Sequence, residues 1–118
     1  MPIEMRKEPA GWYFVRVAGT LVKQDYNQFE PEFRQMTGSD DKLRLLVDMT
    51  ALNGWEPAAF VEEVKFDLQH FKRVERLAVV GSKHWQHAMT TFADIFTSAE
   101  IQYFEPTQEQ LARLWLSQ

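Results

Sequence analysis

A chain of 118 residues with thirteen basic and seventeen acidic side chains, net charge −4 and no cysteine has room for one domain with its own core. Disulfides, thiolate metal sites and cysteine nucleophiles are excluded, and the acidic balance argues against nucleic acid as a partner. Residues 1–8 lack the apolar core of a secretory leader and no run is long enough to cross a bilayer, so the expectation is a cytoplasmic protein.

Ile3 and Met5 alternate with charged residues before the turn cluster Glu8-Pro9-Ala10-Gly11, and residues 12–18 read as a β-prone strand, so a hairpin opens the chain. Trp12, Phe14 and Ala18 fall on one face and Tyr13, Val15 and Val17 on the other, the mark of a strand covered on both sides. Gly19 is expected to end it. Asp25 with Gln28 suggests a capping box opening a helix that carries Tyr26, Phe29, Phe33 and Met36 on one stripe, with a kink or broken turn at Pro31. A polar loop over 37–41 follows.

Leu43-Arg44-Leu45-Leu46-Val47-Asp48 is a second strand, followed by a turn over 49–56 and a second helix from Pro57 bearing Val61, Val64, Leu68 and Phe71. Residues 77–81 give another buried strand. Ser82 caps a third helix whose apolar face is Trp85, Ala88, Met89, Phe92, Ile95 and Phe96. Residues 101–104 form a last strand, and Thr107 with Gln110 caps a terminal helix with Leu111, Leu114 and Trp115 on its apolar stripe. The order β-β-α-β-α-β-α-β-α predicts a single α/β domain over 1–118: a mixed central sheet, mostly parallel with an antiparallel N-terminal hairpin, flanked by four helices.

No enzyme signature emerges. His84, His87 and Asp94 lack the spacing of a metal site, Ser82 has no nucleophile elbow around it, and Glu62 and Glu63 lie on a solvated helix face. No cofactor is expected. Lys65, Lys72, Arg73 and Arg76 read as a solvated connector, the alternative being a patch for an anionic head group or an acidic partner. Phe66 lies off its helix's apolar stripe and is either a lone exposed aromatic or a contact to a partner or a second copy.

Residues 12–19, then Asp25-Tyr26, Leu43-Arg44-Leu45-Leu46-Val47-Asp48-Met49-Thr50, Gly54-Trp55 and Arg76-Leu77-Ala78-Val79-Val80-Gly81 together resemble the SpoIIAA-like family, whose fold is that of the STAS domain and is related to the lipid-carrying CRAL-TRIO domain. Anti-sigma factor antagonists of the STAS type carry an Asp-Ser-Ser/Thr-Gly motif at the start of the helix after this strand. That position falls on Glu56-Pro57-Ala58-Ala59, which has no hydroxyl for a phosphoryl group. The resemblance then implies a non-enzymatic protein binding a non-polar small molecule or lipid between the second and third helices, with Trp55, Phe60 and Val64 facing Trp85, Met89, Phe92 and Phe96 and Trp55 as the gate. The same side chains would also serve as ordinary core. The rival reading is a regulatory protein-interaction module without the phosphoswitch, using the surface of Glu56 and Phe66 and self-association as a homodimer.

Overall fold

The computed structural model describes residues 3–38, 40, 42–55, 72–81 and 98–118, the side chains of Lys23 and Trp55 excepted. The elements are β1 (Ile3–Lys7), β2 (Tyr13–Leu21), α1 (Lys23–Thr37), β3 (Leu43–Trp55), β4 (Val74–Val80), β5 (Glu100–Phe104), a 3₁₀ turn (Pro106–Gln108) and the C-terminal helix α2 (Glu109–Ser117). The strands form one sheet in the order β1-β2-β3-β4-β5. β1 and β2 pair antiparallel and every other neighbour pairs parallel, as the predicted mixed sheet requires. Of the four expected helices, two fall within the described residues, and those expected over 57–71 and 82–96 lie outside them.

Alternation along β2 divides the core between the two faces of the sheet. Tyr13, Val15 and Val17 join Leu43, Leu45, Val47, Leu77 and Val79 on the first face, where Tyr26 and Phe33 of α1 cover them. Trp12 and Phe14 join Leu46, Ala78, Val80 and Phe104 on the second, under Ala112 and Leu116 of α2. Leu46 and Leu77 are wholly removed from water, and burying each such side chain contributes about 1.5–3 kcal/mol.

The hairpin turns as expected. Gly11 adopts φ 99°, a conformation costly for any side-chain-bearing residue, and its N–H donates to the Glu8 carbonyl at 2.9 Å. Gly19 does not end β2, however. The strand continues to Leu21, and Gly19 sits with φ 71° at a register irregularity against β3.

The two described helices start differently from the predicted caps. α1 begins at Lys23, so Asp25 lies in its first turn, where its carboxylate accepts the Val22 N–H at 2.9 Å. A carboxylate there complements the helix's positive end. α1 runs unbroken through Pro31, with Phe29 and Phe33 against the first-face core on either side of the missing N–H. Thr107 lies in the 3₁₀ turn rather than capping α2. The Gln108 side-chain carbonyl accepts the Glu105 N–H at 3.0 Å, closing the entry to the helix. The expected apolar stripe of α2 is also corrected: Ala112 and Leu116 are buried, Trp115 packs at the boundary, and Leu111 and Leu114 are 53% and 60% exposed.

Candidate functional site

Ligands of open α/β sheets settle outside the carboxyl ends of the strands, and here those ends are uneven. β4 pairs with β3 only from Leu43 to Asp48, and β5 ends at Phe104 opposite Val80. The stretch expected to be a turn over 49–56 is instead strand as far as Trp55. It pairs with the far end of β2, Ala18 opposite Ala51, Gly19 opposite Leu52 and Leu21 opposite Trp55. A two-stranded ribbon therefore projects beyond β4 and β5 by residues 49–55 of β3, roughly 20 Å at the usual rise of an extended chain.

Two bulges shape that ribbon, one where Arg16 and Ala18 face Asp48 and Ala51 and one where Gly19 and Thr20 face Leu52 and Gly54. The first is fixed by Asp48, whose Oδ1 accepts both the Thr50 N–H at 2.9 Å and the Thr50 hydroxyl at 2.7 Å. A bulge moves the following side chains to the other face. Thus Leu52, at an even position, joins the odd-numbered Leu43, Leu45, Val47 and Met49 in the first-face core beside Leu21.

Of the predicted binding residues, Trp55 is placed by its backbone at the tip of the ribbon, in register with Leu21. Phe60, Val64, Trp85, Met89, Phe92 and Phe96, together with Glu56 and Phe66, lie outside the described residues, as do His84, His87 and Asp94. Among the described residues no group of three His, Asp or Glu side chains is arranged to hold a metal ion. No helix there is long and apolar enough to cross a membrane.

Two members of the predicted solvated connector, Arg73 and Arg76, instead bind carbonyls at the helix ends. Arg73 donates from Nη1 to the carbonyls of Gly38 at 3.0 Å and Asp40 at 2.9 Å, and from Nη2 to Thr37 Oγ1 at 3.0 Å, closing the C-terminal end of α1. Arg76 donates to the Trp115 carbonyl at 2.8 Å and lies over that ring at 5.3 Å. Arg44 donates to the Leu116 carbonyl at 2.8 Å and pairs with Glu75 at 2.7 Å. Each guanidinium meets the negative end of a helix. Arg44 holds the Glu75 carboxyl below the ordinary carboxylate range. Tyr13, whose hydroxyl donates to the Met36 carbonyl and to Asp40, has its pKa raised by burial and by that Asp40 bond. Burial, with Glu105 nearby, raises Tyr103, whose hydroxyl donates to the Gly81 carbonyl at the end of β4. Lys72 is exposed and Lys65 lies outside the described residues.

With this geometry in view, the family model described as SpoIIAA-like matches residues 13–117. The chain belongs to the SpoIIAA-like family. A solved structure supports the assignment: an uncharacterized protein of the DUF3478 family from Shewanella loihica PV-4, with a SpoIIAA-like fold, superposes with a TM-score of 0.74 at 26% identity over 97% of this chain and 91% of that one. Comparison with curated proteins gives no match. Membership in the SpoIIAA-like family fits a binding or regulatory module in general terms.

Proposed function

We propose that this SpoIIAA-like domain is a non-enzymatic, cytoplasmic binding protein that holds a non-polar small molecule or lipid at the carboxyl end of its sheet, between segments 57–71 and 82–96. The observation that carries the reading is the projecting β2–β3 ribbon. It carries the buried Leu21 and Leu52 past the ends of β4 and β5 and ends at Trp55, after which the sequence continues to the apolar Phe60 and Val64. The apolar residues that the sequence carries at Phe60, Val64, Trp85, Met89, Phe92 and Phe96 suit a non-polar ligand. The family's phosphoryl switch is not available at Glu56-Pro57-Ala58-Ala59, because none of these residues has a hydroxyl.

A fluorescent fatty-acid probe tests this reading. Saturable binding that weakens in Trp55→Ala and Phe92→Glu is expected; a probe that neither binds nor is displaced by unlabelled fatty acid contradicts it. A second reading, an interaction module working through self-association or a protein partner at Glu56 and Phe66, draws support from the exposed Leu111 and Leu114 on α2. Sedimentation showing a dimer that Phe66→Glu or Leu114→Glu dissociates would favour it, and a monomer at every concentration would count against self-association.

A further inference from the structure

On the second face of the sheet, a cleft of about 340 Å³ lies between the hairpin and the start of α2, lined by Glu4, Arg6, Phe14 and Arg16 from the strands and Glu109 and Arg113 from the helix. Most of its charges are already matched. Arg6 Nε meets Glu8 at 3.0 Å, and Arg113 meets Glu8 at 3.7 Å and Glu109 at 3.8 Å. Both guanidiniums also lie over the Phe14 ring, at 4.4 and 5.7 Å. Such stacking fixes the walls and covers the aromatic floor.

Glu4 and Arg16 are different. They stand directly opposite each other in the antiparallel pair, so their side chains share a face at a spacing that ordinarily joins opposite charges. Both are exposed, and among the described residues neither side chain has a hydrogen bond or ion pair. Asp48, Arg16's neighbour on the other side, has its Oδ1 engaged by Thr50. One carboxylate and one guanidinium thus open side by side into a cleft whose other ions are held.

We infer that this cleft binds a small zwitterion of the α-amino-acid class, its carboxylate taken by Arg16 and its ammonium by Glu4. Arg16 offers the paired N–H donors that a carboxylate accepts side by side, and Glu4 accepts from the ammonium. The volume is at the lower end of small-molecule sites, which run about 300–1,000 Å³, and suits one small metabolite rather than a peptide. The site is separate from the proposed apolar one: it lies between the hairpin and the start of α2, and apart from Met5 and Phe14 its lining residues are all charged.

Titration of the ¹⁵N-labelled protein with the free α-amino acids, one at a time, tests the proposal through amide shifts on β1, β2 and the start of α2. Acetate and methylammonium serve as half-ligands. Saturable shifts with at least one amino acid are expected, weakened roughly tenfold in both Glu4→Gln and Arg16→Gln, since each loses one charge-assisted contact. Neither variant removes an existing contact, so both should fold like the wild type. No saturable shift with any amino acid overturns the proposal, as does acetate matching the amino acids with Glu4→Gln unaffected, which would mean an anion subsite alone.

Discussion

Arg73 is the residue at which the structure and a solvated-connector reading part most sharply. Its guanidinium makes three hydrogen bonds to the end of α1 and the loop after it, and one of these reaches the hydroxyl of the buried Thr37. Hydrogen bonds to a charged group contribute about 1.5–3 kcal/mol each when shielded and less when exposed. The two carbonyl contacts are exposed, and the third is part-buried. With a favourable but small helix-dipole contribution, Arg73→Ala should cost about 2–3 kcal/mol. For a domain of this size that lowers the melting temperature by roughly 6–15 °C. Chemical denaturation read by tryptophan fluorescence, alongside a thermal melt, measures both quantities. Arg73→Lys should fall between wild type and Arg73→Ala, because an ammonium keeps the charge but cannot make the forked contacts. A loss within about 0.5 kcal/mol, the usual range for a surface substitution, would refute the cap.

The buried side of α2 gives a second test: Leu116→Ala should cost about 3–5 kcal/mol and Leu114→Lys almost nothing, both by denaturant titration. Leu46→Ala, at a fully buried second-face position, should also cost about 3–5 kcal/mol. Glu75 titrates below its unfolded value because of Arg44, so its contribution is present above the unfolded pKa and is lost as pH falls through the lower folded pKa. Glu75→Gln should therefore flatten the acid limb of stability against pH, and an unchanged limb would contradict the pair. Trp55→Ala should weaken probe binding while leaving the melting temperature nearly unchanged. A core tryptophan would instead cost about 3–5 kcal/mol, and a loss of that size would refute the gate.

The central strands were legible because Leu43 to Val47 and Leu77 to Val80 are short apolar runs, and a strand buried on both faces has that composition. The alternation of Trp12 and Phe14 against Tyr13, Val15 and Val17 likewise foretold the two cores. The ribbon was not legible. Two bulges break its alternation, and Asn53-Gly54, ordinarily a turn signal, lies inside it with Gly54 opposite Thr20. The face of α2 misled because Leu111, Leu114 and Trp115 have helical spacing, yet the helix meets the sheet through Ala112 and Leu116, which join Ala78 and Leu46 in the second-face core. The roles of Arg44, Arg73 and Arg76 depend on carbonyls far away in sequence, which residue type alone does not locate. The apolar groove was expected from residues that, apart from Trp55, lie outside the described ones.

Native mass spectrometry of gently purified protein, followed by organic extraction and identification of what is released, tests the central claim most directly. A non-polar adduct of defined mass, retained by the wild type and lost in Trp55→Ala, is the predicted result. Protein that carries no adduct and acquires none on incubation with fatty acids would contradict it.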